Sequence, residues 1–366
     1  MRAPSLDWQP GGEFTVGVED ELFLVDQEGQ MLGSAAEPLM ATVCGPAAGG
    51  TFKSEIFVDE VELETQVCSD AEEVRKSLQS LRGSLMVKGV RPMAVGVHPS
   101  ADFGAADLTT SPRYDRLGDE FAGLLRTPTA AFQVHVGLPD TASALRVFRG
   151  LRNRLAVFRA LAAGSPYWHA RDSGLACSRP AILRSYPRTT MPPALRSWDE
   201  YVEAIERSMW AYEVPDYSYV CWELRPQPRL GTIEVRVMDA QSSLDRIAGL
   251  TALVQGLARH AVEAPDLHDL PDEAVLANDF RSCRRGLEAT VIDANGSRRP
   301  MRELAWRALD DARAQLAPDG LDRPLDAVEE ILTAPPEYAR QRDLREQRGM
   351  PALLADLVER TANVDG

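Results

Sequence analysis

The stretch Thr15–Val25 reads TVGVEDELFLV. Side chains on a strand alternate between its two faces, so Glu19 and Glu21 point one way while Val18 points the other. Three further segments repeat the design: Val61–Cys68 (VELETQVC), Gln133–Leu138 (QVHVGL) and Thr232–Asp239 (TIEVRVMD). Gln133 and His135 share a face, as do Thr232, Glu234 and Arg236, while Val134, Val136, Ile233, Val235 and Val237 are left to fill a core. If the polar faces converge, Glu19, Glu21, Glu62, His135 and Glu234 line one cavity, a donor set suited to hard cations and the anions they carry. Glu60 and Glu64 lie on the same face as Glu62, and alternation alone does not choose among the three.

Half-polar strands predict an α+β fold in which a mainly antiparallel sheet forms an open half-barrel or funnel, with helices on its outer face. Strand candidates fall at 14–25, around 56–67, 90–97, 132–138 and 231–238. Helices are expected at 70–88, after the cap Ser69-Asp70, and at 141–163, after Asp140-Thr141. The segments 243–262, 301–316, 323–333 and 339–361 also read as helical, so the last third is mostly α. The proline-rich stretches Pro187–Pro193 and Pro215–Pro228 read as loops, and because they carry tryptophan, tyrosine and arginine they are candidate binding segments. No internal repeat or domain boundary is apparent, so residues 1–366 are expected to form a single domain, with a core at about 14–290 and a helical part at about 300–362.

A chain of 366 residues, 44% of them hydrophobic, has ample material for a core. Its opening, MRAPSLDWQPGG, does not read as a secretory leader, and the longest weakly polar run, Ile247–Ala258, is shorter than the ~20 residues of a membrane span. Five scattered cysteines with no C-x-x-C pair read as reduced thiols. A cytoplasmic protein is the expectation. The formal charge of −15 argues against nucleic acid or an anionic membrane as partner. Lysine occurs only at Lys53, Lys76 and Lys88; the arginine bias carries little functional weight.

Several of these segments together resemble a known family. Gly17–Asp26 (GVEDELFLVD), Gln133–Asp140 (QVHVGLPD), Ala160–Arg179 (ALAAGSPYWHARDSGLACSR) and Trp222–Asp239 (WELRPQPRLGTIEVRVMD) resemble the second glutamate-cysteine ligase family, the carboxylate-amine ligases. Gly96–Pro99, Arg113-Tyr114 and Asn278–Leu287 add weaker matches, and the C-terminal tail has none. The resemblance implies a glutamine-synthetase-like catalytic sheet and an ATP-dependent ligase using Mg²⁺ or Mn²⁺. Its implied substrates are glutamate and a small amine such as cysteine. Glu19, Glu21, Glu62, His135 and Glu234 match the family's metal-side residues, and here alone is Glu62 preferred to Glu60 and Glu64. Arg236 and Arg179 match positions implied to be catalytic. Arg225, Trp222, Gln133 and Arg284 match positions implied to bind substrate or nucleotide. Three positions depart from the pattern: Asp20 replaces a glutamate, Gln133 a histidine and Cys177 a serine. A homodimer is a further expectation, from the resemblance and the apolar helices.

The chemistry stands on the residues as well. A carboxylate does not react with an amine at neutral pH, so a ligase first phosphorylates it. Phosphoryl transfer asks the protein for positioning and charge neutralisation. Acid-held magnesium supplies both, and Arg236 and Arg179 suit phosphate or a developing oxyanion. No G-x-x-x-x-G-K-[ST] occurs, so no P-loop cradles the nucleotide. Other readings remain. The acids could be a solvated strand face, and Arg236 a structural ion pair. His98 reads as structural, Cys177 as a packed side chain, His169, His260 and His268 as surface or structural, and Arg284-Arg285 equally as a solvated helix face. A metal-dependent hydrolase with the same acids, or a silent metabolite-binding relative, are the competing functions. The acceptor amine and the number of metal ions are not legible.

Overall fold

A computed structural model describes residues 6–104, 106–264 and 268–364; residues 1–5 of the opening segment lie outside them. The strands are β1 Val16–Leu24, β2 Gly45–Ala47, β3 Gly50–Ser54, β4 Glu60–Thr65, β5 Pro92–Met93, β6 Ala131–Gly137, β7 Tyr167–Trp168, β8 Arg171–Asp172, β9 Leu224–Gln227, β10 Thr232–Asp239, β11 Thr290–Ile292 and β12 Arg298–Pro300. The main sheet runs β2-β3-β4-β1-β6-β10-β9, with β5 on the end of β1, and every pair in it is antiparallel. Register sets the site: Glu21 faces Glu62, Glu19 faces Gln133, and His135 faces Glu234.

The helices are α1 Glu37–Val43, α2 Ala71–Val87, α3 Pro112–Phe121, α4 Thr141–Arg152, α5 Leu155–Ala162, α6 Arg179–Leu183, α7 Trp198–Ala211, α8 Leu244–Glu263, α9 Asp272–Arg285, α10 Met301–Leu316, α11 Asp326–Thr333 and α12 Glu337–Ala362. Asp70 and Asp140 cap α2 and α4 by accepting backbone N–H bonds, as their positions before the apolar runs predict. The weakly polar run 247–258 is the middle of α8, which packs against α2, α4 and α10 behind the sheet. Its Gln255 spans two loops, donating to the carbonyls of Phe14 and Ser69 at 2.8 and 2.9 Å. Gly256 lets α10 approach closely: a Cβ there would lie 2.7 Å from that of Ala312. No helix among the described residues is long and apolar enough to cross a membrane.

The core face of β1 holds one charge. Asp20 is fully buried and accepts from Arg82 of α2 at 2.9 Å, while Arg82 also donates to the carbonyls of Gln241 and Ser242. The departure at Asp20 is therefore a brace between sheet and helices on the side away from the cavity. A buried ion pair of this kind is tolerated because the guanidinium's donors are used.

Four expected elements are corrected. The helix expected at 141–163 breaks at Asn153-Arg154 into α4 and α5. The strand expected at 90–97 is only Pro92–Met93, because it pairs with just Phe23 and Leu24. The segment 323–333 starts as a 3-10 turn at Arg323–Leu325 before α11. The loop expected at Pro215–Pro228 contains β9, whose Pro226 is accommodated because β9 is the sheet's edge.

Candidate active site

The open face of the sheet lines a cavity of about 460 Å³ in which six strands and their loops meet. One wall is acidic, from Glu19, Glu21, Glu55, Glu62 and Glu64; the other is apolar, with Phe57, Phe121, Leu125, Tyr186 and Trp222. Among the described residues two groups of three side chains bring donor atoms within 4.8 Å of one another: Glu19, His135 and Glu234, and Glu21, Glu55 and Glu62. The four acids and the histidine singled out from the strands thus fall into two neighbouring sets, the second completed by Glu55.

In the first set, His135 Nε2 lies 3.1 Å from Glu19 Oε1 and 4.0 Å from Glu234 Oε1, and its Nδ1 pairs with Thr232 Oγ1 at 2.9 Å. Burial alone would depress the imidazole's pKa, but Glu19 and Glu234 outweigh it and raise it. Burial likewise opposes ionisation of Glu19, yet His135 holds it below the usual range. Glu234 is fully buried and accepts from Arg225 Nε at 2.9 Å, Gln227 Nε2 at 2.5 Å and Arg236 Nη1. Burial is more than offset by Arg225, Arg236 and His135, so Glu234 stays far below the ordinary carboxylate range.

The second set is starved of cations. Glu21 accepts from Ala131 N and from Gln133 Nε2, both at 2.5 Å, which gives the Gln133 departure a role in orienting this acid. Burial and then Glu55 push the Glu21 carboxyl up to about 8, against the pull of Arg179 and Arg236. Glu62 is held well above its usual value by burial and by Glu55, Glu19 and Glu21, and it hydrogen-bonds Glu55. Glu60 is also raised, but it is only 2% exposed and does not line the cavity; Glu64, at the outer end, pairs with Lys53. Of the three acids of β4, Glu62 is the one in a converging group.

A set of hard oxygen donors that cannot all ionise without a cation is a chemical fit for divalent metal. It has a pH signature. Between about 4.5 and 8 the folded, metal-free protein holds a proton on Glu21 that the unfolded chain has released, so this stabilisation is complete below 4.5 and lost as pH rises through 8. The shifts of Glu55, Glu62 and His135 have the same sign. Melting temperatures measured in chelator are expected to fall across this window, and Glu21→Gln to flatten the fall. An equal slope in both proteins would remove Glu21 as its source.

Arg236 lines the cavity at a β-bulge, where the register of β10 against β6 shifts between Val235 and Met238. Arg179 also lines it, but its donors go to β10: Nη2 to the carbonyls of Arg236 and Met238 at 2.7 and 3.1 Å, Nε to Asp239 at 3.3 Å. Asp239, fully enclosed, also accepts from Ser165 Oγ, Gly164 N and Cys177 Sγ. Cys177 is thus a packed partner of this knot, and Gly96 is required because a Cβ would meet Asp239 Cγ at 2.3 Å. Arg225 braces Glu234, and Trp222 is a buried wall residue. His98 is a buried structural residue, its Nε2 2.8 Å from the carbonyl of Gly29.

Two expectations are not met: His135 and Glu234 pack against Glu19 and each other but are not among the cavity's lining residues, and Arg284 lies elsewhere. Arg284 is exposed in the last turn of α9 and is not among the cavity's lining residues; there, with Arg285, it suits the helix C-terminus. Glu55 and Asp239 were missed. Glu55 follows β3 on a loop, where alternation gives no signal. Asp239 ends β10 on the odd-numbered, core-facing side of the pattern.

Comparison with known proteins agrees with this geometry. The family description glutamate-cysteine ligase family 2 (GCS2) matches residues 15–354. A Rubrobacter xylanophilus protein named "Putative glutamate--cysteine ligase 2-3" is 33% identical over 362 residues, 95% of this chain and 97% of that one. A Paracoccus denitrificans protein named "Putative glutamate--cysteine ligase 2" is 35% identical over 309 residues, 81% of this chain and 82% of its own. Among solved structures, the glutamate-cysteine ligase of Francisella tularensis in complex with AMP superposes with a TM-score of 0.71 at 13% identity, over 97% of this chain and 89% of that one. The bifunctional glutathione synthetase of Pasteurella multocida gives 0.71 at 13% over 96% of this chain, which spans about half (52%) of that enzyme. At such identity the superpositions establish the fold alone, an antiparallel sheet with helices around it that is shared with these two proteins.

Proposed function

The chain belongs to glutamate-cysteine ligase family 2 and is a ligase, and we propose that it joins the γ-carboxylate of glutamate to a small amine, with cysteine the first candidate, in the cytoplasm. ATP is the proposed co-substrate and an acyl phosphate the proposed intermediate. The observation that carries this reading is the pair of neighbouring three-donor groups, of which Glu19, Glu21, Glu55 and Glu62 line the cavity, beside Arg236 on the same strand face.

Glu19, His135 and Glu234 would hold one divalent cation, and Glu21, Glu55 and Glu62 a second. Bound Mg²⁺ or Mn²⁺ supplies neutralisation and alignment of the phosphates. The protein's own contribution is positional. Arg225 and Gln227 fix Glu234, Gln133 fixes Glu21, and the Asp239 knot fixes Arg179 against β10. Arg236, whose guanidinium rests on Glu234 at the cavity wall, is placed to shift onto a phosphoryl oxygen. The apolar wall around Phe121, Tyr186 and Trp222 excludes water from an intermediate that hydrolysis would waste.

The test is ADP release with glutamate and a panel of amines. Release is expected only with ATP, glutamate, an amine and Mg²⁺ or Mn²⁺ together. Turnover that persists without nucleotide would give the site to a metal-dependent hydrolase, and absence of any turnover to a silent binder.

A further inference from the structure

A second cavity, of about 330 Å³, lies away from the catalytic one, between α5, the start of α8, the end of α11 and both ends of α12. Three arginines reach into it, Arg246 from α8 and Arg340 and Arg360 from the two ends of α12. They converge on Glu337, which is partly buried and held down to about 2: desolvation opposes ionisation, but Arg340, Arg246 and Arg360 outweigh it. Glu337 accepts from Arg340, at 3.0 and 2.7 Å, and from Gln341 Nε2 at 3.1 Å. Arg246 and Arg360 stop at 3.9 and 3.6 Å, outside hydrogen-bond distance.

The remaining acids do not absorb the excess. Asp356 binds Arg340, which is already engaged with Glu337, and Glu330 stands exposed at the rim. Arg246 makes one side-chain hydrogen bond, to the carbonyl of Leu161 at 3.3 Å. A network built only to clamp α12 onto α8 would bring these forks into contact with carboxylate. Here two guanidiniums instead flank an open volume whose other walls are apolar: Leu161, Leu287, Ile331 and Pro335. Forked, weakly hydrated guanidiniums beside an apolar wall are the arrangement that takes a carboxylate or phosphate on a compact organic body.

We propose that this pocket is a binding site for a small carboxylate- or phosphate-bearing anion, held by Arg246 and Arg360. It is separate from the catalytic cavity yet wired to it. Gln341, beside Glu337, donates to the carbonyl of Gly164 at 2.8 Å, and the Gly164 N–H donates to Asp239, the acceptor of Arg179.

The test is calorimetric titration of the full-length chain in chloride buffer with two probes, inorganic phosphate and succinate, at millimolar concentrations. Binding of at least one is expected, weakened about tenfold or more by Arg360→Gln and by Arg246→Gln, since each removes a charge-assisted fork. The catalytic-cavity variant Arg236→Gln is expected to bind that probe as the parent does. Arg360 makes no hydrogen bond to Glu337, so its variant is expected to fold, as circular dichroism would verify. Succinate alone would name a carboxylate ligand, phosphate alone a phosphate one. Binding lost in Arg236→Gln but kept in the other two variants, or no binding of either probe to the parent, overturns the proposal.

Discussion

Glu21→Gln is expected to fold as the parent does and to lose ATP turnover by about a thousandfold, the several kcal/mol that a metal held in place contributes to a transition state. The two halves of the expectation have separate causes. Without metal at neutral pH, Glu21 already carries a proton, so a neutral amide of the same shape replaces like with like. Its backbone partner, Ala131 N, still finds an oxygen. Gln133 can turn its amide to accept from the new one, since its own Oε1 is buried without a hydrogen-bond partner. What the variant lacks is an oxygen able to become anionic when a cation arrives. Glu234→Gln is the informative contrast. It removes the acceptor shared by Arg225, Arg236 and Gln227, so it is expected to lose stability as well, by about 3–5 kcal/mol for a broken buried pair. Urea unfolding beside the rate assay separates the two. Parent-like turnover by Glu21→Gln would remove it from the metal group.

Arg236→Lys is expected to keep its melting temperature within a few degrees and to lose turnover by about 10²–10³, the cost of one misplaced donor to developing charge. An ammonium retains the attraction to Glu234 but not the planar fork that can hold a carboxylate and reach a phosphoryl oxygen at once. The loss should appear in kcat more than in KM for glutamate, because the contact forms with the charge that develops during transfer. Equal kcat in the two proteins would return Arg236 to the role of an ion pair holding β10.

The acids were legible because strands impose a parity rule. Glu19, Glu21, Gln133, His135, Glu234 and Arg236 sit on the cavity face that alternation gives them, and their partners across the sheet follow from antiparallel register. Parity could not rank Glu60, Glu62 and Glu64; depth in the cavity does, by burying Glu60 behind the group and leaving Glu64 to Lys53. Residues that reach the site from loops obey no such rule, which is why Glu55 escaped notice. Arg284 failed for the opposite reason: a matched segment carries no information about which side of a helix meets a cavity. The break between α4 and α5 and the strand hidden in the proline-rich stretch reflect tertiary pairing, which local pattern does not encode.

The central claim, that the carboxylate is activated by phosphorylation, is tested most directly by following oxygen. With glutamate carrying ¹⁸O in its γ-carboxylate, ATP, Mg²⁺ and an accepted amine, the account predicts one labelled oxygen in the phosphate released for each amide formed. Amide formed with unlabelled phosphate, or formed equally well without ATP, would contradict it.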